Sequence, residues 1–170
     1  WCPPVQVFLG MPDDFAAVLG RDRVVDFGRA GNAFLRACGT RDEPTVAHLV
    51  DGLAADPAGF LAGPDGYHGY LKVLRAIAAS LSPLGPESLG TLRTHPILLA
   101  TTDPVNPATS AVLGTAAEVY LLDDAVSQRQ FSIPVAPPDL EAFYRDRLGV
   151  QGVGSRVRTE WTMNGEAGTG

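Results

Sequence analysis

Between Val25 and Pro44 the apolar positions Phe27, Ala30, Phe34 and Cys38 recur at three- and four-residue spacing. That period draws one stripe along an α-helix. Gly39 follows where a left-handed C-terminal cap sits. Arg41, Asp42 and Glu43 then form a charged turn, and Pro44 keeps the helix from running on. Phe27, Phe34 and Cys38 are expected in the core, Cys38 as a small buried hydrophobe.

The pattern continues on both sides. Val5 to Leu9 reads as a short strand closed by Gly10, and Met11 to Gly20 as a helical turn turning Phe15, Val18 and Leu19 inward. Thr45 is a good N-cap for a helix whose Val46, Leu49, Val50 and Leu53 share a face. His48 stands where a capping box takes Glu or Gln, so the reciprocal bond is not expected. Asp56-Pro57 opens a short turn over Phe60 and Leu61, and 63–66 is a loop. Tyr67 to Leu81 is a helix facing inward through Tyr67, Tyr70, Leu71, Leu74, Ala78 and Leu81, ended by Ser82-Pro83. Pro86 to Arg93 is a shorter one that buries Leu89 and Leu92.

Beyond Arg93 the period changes. Ile97 to Thr101 is a buried strand, and Thr102 to Thr115 a long, exposed, mobile loop. Ala117 to Leu122 is a second strand, closed by Asp123-Asp124. Phe131 to Val135 is a third, placed at an edge by Pro134. Pro137-Pro138-Asp139 launches a helix lined by Leu140, Phe143, Tyr144 and Leu148 and capped by Gly149. A last strand lies near Arg158 to Trp161, and residues 164–170 form a disordered tail. The expected fold is α+β, a single domain over 1–163. Its helical half (about 26–94) packs on a smaller β-containing half (about 95–161).

The length of 170 residues fits one domain that buries ~70% of its unfolded surface. A net charge of −6 with only 13 Lys and Arg leaves no footprint for a phosphate backbone or an anionic bilayer. Neither nucleic acid nor membrane is an expected partner. No apolar run nears the ~20 residues of a membrane span. Cys2 and Cys38 make no disulfide framework, which points to an intracellular, cytoplasmic setting. The ends, Trp1-Cys2-Pro3-Pro4 and GEAGTG, look cut from a longer chain.

Candidate chemistry is sparse. His48, His68 and His95 lack metal-ligand spacing. His48 reads as a near-cap residue, and His68 as surface. No GxSxG and no phosphate-binding glycine loop is present. Asp123 and Asp124 are explained by a turn; with His95 they make the enzymatic alternative, a metal-assisted hydrolase or transferase. A further alternative is a stand-alone protein-binding module using the loop 102–115. Arg41, Asp42 and Glu43 are the charged cluster beside an organised helix end. They read either as a solvated turn or as a docking point for a neighbouring domain.

Several ordered segments resemble a known family. They are Val25-Asp26-Phe27-Gly28, Asn32 to Gly39 (with Phe34, Cys38) and Asp42-Glu43-Pro44-Thr45. Further on come Tyr70-Leu71, Leu74 to Ala78, Pro96 to Ala100, Ala117 to Asp124, Pro137 to Tyr144 and Leu148-Gly149-Val150. Together they resemble the sacsin-like family of very large proteins, known mainly from fungi and related eukaryotic microbes. Two departures stand out: Gly154 replaces a leucine, and the loop after Ala100 is uncharged but for Asp103. The resemblance implies a segment downstream of an N-terminal ATP-binding domain of the gyrase, heat-shock-chaperone and histidine-kinase superfamily. ATP and magnesium would belong to that domain, and no catalytic, cofactor or metal residue to this segment. The implied role is a non-catalytic middle domain coupling the ATP-binding domain to partner or client segments. Its partners would be neighbouring domains and client proteins.

Overall fold

A computed structural model describes residues 7–19, 23–80, 84–122, 133–156, 161–163 and 166–168. The fold is α+β, helical in its first half and with a small antiparallel sheet in its second. In chain order the helices are α1 (Asp13–Leu19), α2 (Gly28–Ala37), α3 (Val46–Ala55), α4 (Pro57–Leu61), α5 (Gly66–Ala79) and α6 (Pro86–Thr94). Strands β1 (Leu98–Thr101) and β2 (Ala111–Gly114) follow. Residues 138–148, α7, run through a 3-10 turn, a short α segment and a π turn.

Helix α5 is the centre of the packing. Tyr70, Leu71, Val73, Leu74 and Ile77 are buried along it, and α1, α3, α4 and the start of α7 lie against it. Leu49, Val50 and Leu53 of α3 and Leu92 of α6 join the same apolar cluster as Leu98, Leu99 and Ala100 of β1 and Leu140, Phe143 and Leu148 of α7. The helical and β-containing parts therefore share one core. Each of these leucine, valine and phenylalanine side chains contributes ~1.5–3 kcal/mol when fully buried.

Strand β1 is held on both edges. On one it pairs with β2, from Leu98 opposite Gly114 to Thr101 opposite Ala111. On the other, the Tyr70 hydroxyl donates to the Ile97 carbonyl at 3.0 Å and the Tyr144 hydroxyl to the Leu99 carbonyl at 3.1 Å. Thr101 exchanges two backbone bonds with Val135. Alternate residues of a strand point their amides to the same edge, so positions 97, 99 and 101 are closed in turn by two tyrosines and one bridge. Burial raises the pKa of both phenols, so each remains a donor.

Several expectations are corrected. The stretch 102–115 is not one loop: Ala111–Gly114 is β2, and a hairpin brings it back along β1. Its tip is organised by Asp103, which accepts from the Val105 amide and the Asn106 side chain, and by Ser110. In 117–122 only single bridges form, Tyr120 with Val135 and Leu121 with Gly152. Trp161–Met163 pairs antiparallel with Glu166–Gly168, where a disordered tail was expected from 164. The Leu81 and Ser82-Pro83 helix end, the Asp123-Asp124 turn and Phe131 lie outside the described residues.

Candidate functional surface

The stretch that organises the sequence takes an unexpected place in the fold. Phe8 forms parallel bridges to Val24 on one side and Arg41 on the other. The Phe8 amide donates to the Arg23 carbonyl at 2.9 Å and the Leu9 amide to the Arg41 carbonyl at 3.1 Å. Helix α2 is the crossover between these two bridges, pinned at both feet.

Its N-terminal foot is set by Asp26 and Asn32. Asp26 Oδ1 accepts from the Gly28 amide and from Asn32 Nδ2, both at 2.9 Å. Asn32 Oδ1 in turn accepts from the Phe27 amide at 3.0 Å. The Gly28 amide, then Asn32, hold the Asp26 carboxyl below its usual pKa. Gly28 opens the helix at φ +70°, a region that favours glycine. At the other foot Gly39 has φ +94°. Its amide reaches the Arg36 carbonyl, and the Thr40 amide reaches Leu35, the paired bonds of a Schellman cap.

Core burial of the stripe is corrected. No residue of α2 is buried. Phe27 is 70% and Phe34 69% exposed, and Cys38 is exposed too. Only Gly31, Asn32 and Leu35 are partly covered. The period was read correctly, but it specifies a face and not what the face meets. The narrowness of the stripe was the missed signal: the large apolar residues of 27–38 are only Phe27, Phe34 and Leu35, against the broad apolar face of α5.

The charged turn is divided by its contacts. Asp42 accepts from Arg36 of α2, with Nη2 at 2.6 Å, and both side chains are exposed. Asp42, first by this hydrogen bond and then by its charge, raises the Arg36 pKa. Arg41 and Glu43 are exposed, and Pro44 is buried. Asp26, Phe27, Gly28, Asn32, Phe34, Cys38, Gly39 and Pro44, which carry the sequence resemblance, thus fall on one helix, its caps and its exit.

The histidines are dispersed. His48 does close a capping box, contrary to expectation: the Thr45 amide donates to its Nδ1 at 3.0 Å. An imidazole nitrogen thus fills the acceptor role of Glu or Gln. Burial, followed by the charge of Arg41, lowers the His48 pKa. His68 is exposed beside the Tyr67 ring. His95 is exposed, its Nδ1 3.2 Å from the Thr94 hydroxyl. Asp123 and Asp124 lie outside the described residues. Among the described residues no group of His, Cys, Asp and Glu could hold a metal ion, and no helix is long and apolar enough to cross a membrane.

An open groove of about 650 Å³ lies between α5 and α7, floored by Ala78, Leu140 and Phe143. The Arg75–Asp139 ion pair and Arg147 stand at its rim. Asp146 completes its charged lining, which holds no Ser, Thr, Cys, His or Lys.

A family model described as "Protein of unknown function (DUF3684)" matches residues 1–169. No curated protein matches the chain, and no solved structure does.

Proposed function

We propose that this chain, which belongs to the DUF3684 family, is the non-catalytic interaction domain of a sacsin-like, chaperone-related ATPase of the cytoplasm. In this reading it couples an ATP-binding domain elsewhere in the parent protein to partner or client segments. One observation carries the interaction role: Phe34 on α2 and Phe27 at its N-cap are open to solvent, beside a foot fixed by hydrogen bonds. Exposed aromatic residues on a rigid element are what protein interfaces use as anchors. The coupling role rests on the sequence resemblance. Arg41 and Glu43 at the exit of α2 would set the orientation of docking.

Calorimetric titration of the chain with magnesium and ATP tests where the nucleotide site lies. No binding is expected, because ATP would be held by the separate domain. Micromolar binding here would overturn that assignment. In the parent protein, Phe34→Ser should change ATP turnover in response to partner segments; turnover identical to wild type would remove the coupling.

A further inference from the structure

The geometry points to a strand-addition site on the outer edge of β2, filled by an extended apolar segment of a partner protein with a basic residue at its end. This site is separate from the α2 surface and does not depend on the coupling role.

The register decides which backbone groups are open. Positions 97, 99 and 101 of β1 are closed on the far edge by Tyr70, Tyr144 and Val135. Leu98 and Ala100 therefore turn to β2, where they stand opposite Gly114 and Val112. The Thr102 amide continues that row by donating to the Ser110 carbonyl at 3.2 Å. Ala111 and Leu113 are left with their amides and carbonyls directed away from β1. Among the described residues no bridge and no hydrogen bond reaches these four groups. Donors and acceptors on alternate residues, ~7 Å apart, match an extended backbone. A helix has spent its own groups internally and cannot fill them.

The edge is also undefended except by its shortness. Lysine, proline or a bulge commonly keeps an edge strand from pairing. Strand β2 reads AVLG, and no residue from 104 to 117 is charged. Ala111, Val112 and Leu113 are partly open, and all three also pack against the core. An added strand therefore extends apolar surface on both faces of the sheet, and apolar side chains suit both.

The row of open groups ends at Thr115. Its amide and its hydroxyl both donate to Glu118 Oε2 at 2.9 Å. A carboxylate thus stands at the end of the edge and selects a basic residue on the occupant. Two folded copies joined at β2 alone would meet over only ~14 Å of strand, short of the ~800 Å² per partner that stable pairs bury. A loose extended segment needs no such area and can run past both ends of the strand.

The test follows backbone amides by nuclear magnetic resonance. In the free chain the Ala111 and Leu113 amides should exchange with solvent at least ~tenfold faster than those of Val112 and Gly114. The probe is a synthetic strand of alternating valine and threonine with lysine at both ends. It is N-methylated along one edge, so it binds through the other and stays monomeric. It should shift the Ala111 and Leu113 signals and slow their exchange. A twin methylated on both edges should bind ~tenfold or more weakly. A twin with glutamate ends should bind about threefold more weakly at low salt. Ala111→Pro removes one outward amide at the first residue of an edge strand, where proline is tolerated. It should bind ~fivefold or more weakly with its melting temperature kept, whereas Ala111→Ser keeps the amide and the binding. Slow exchange of Ala111 and Leu113 in the dilute free chain overturns the proposal, because the edge is then already covered. Equal binding of the doubly methylated or the glutamate-ended twin overturns it too. So does protection that rises with protein concentration alone, which would make a second copy the occupant.

Discussion

The Tyr144 hydroxyl donates to the Leu99 carbonyl at 3.1 Å, and both residues are fully buried. With Tyr70 on Ile97, it ties β1 to one helix that precedes it in sequence and one that follows it. Tyr144→Phe removes the donor and leaves a buried carbonyl without it. The expected cost is ~1–3 kcal/mol, a fall in melting temperature of roughly 2–4 °C per kcal/mol for a chain of this size. Tyr70→Phe should behave alike. A thermal melt within error of wild type for both would show that these bonds contribute nothing net.

Phe34→Ser gives the opposite expectation. A side chain 69% exposed, on a helix with no buried residue, should change stability by no more than ~0.5 kcal/mol. A core phenylalanine would cost ~3–5 kcal/mol on truncation. Urea denaturation separates the two, and a large loss would return Phe34 to the core.

Gly39 has φ +94° inside a Schellman cap. Gly39→Val forces a β-branched side chain into the left-handed region and should cost ~1 kcal/mol or more. Arg41→Ala, on an exposed residue, should leave stability nearly unchanged and weaken docking. Melts of the two variants give the comparison, with Arg41→Ala as the control.

His48 makes the fold sensitive to mild acid. Its Nδ1 accepts from the Thr45 amide, which requires that nitrogen to be unprotonated. The Phe8 ring meets it edge to face at 5.2 Å, and Arg41 and Arg23 oppose its charging while Asp51 favours it. Because the folded pKa lies below the model-compound value of 6.5, the unfolded chain binds the proton more readily. Stability from this group is complete above about pH 6.5 and is lost as pH falls through the lower folded value. His48→Gln keeps an acceptor for the Thr45 amide without titrating. It should flatten the decline in melting temperature between about pH 7 and about pH 5; an unchanged slope would assign the effect to other groups.

Helices α3, α5 and the helix from Pro138 were legible because each carries several large apolar residues on one side, and cap signals are local: Asp56 accepts from the Gly59 amide at the start of α4, and Gly149 sits at φ +75° after the helix from Pro138. What escaped was decided by partners distant in sequence. Strand β2 is four residues after a Pro- and Thr-rich stretch, and only β1 makes it a strand. The tyrosine bonds to β1 join residues 27 and 45 positions apart, so no local pattern encodes them. The stripe of α2 was visible as a period, yet its exposure depends on where Phe8 places the two feet.

Phe8, bridged on both sides, has a practical consequence. Adjacent bridged chains lie ~4.8 Å apart, so Val24 and Arg41 stand roughly 10 Å from each other. A linker of about three or four residues crosses that gap. The helix is thus a replaceable cassette: it can be exchanged for another sequence, or excised, while the hydrophobic cluster around α5 keeps all its members.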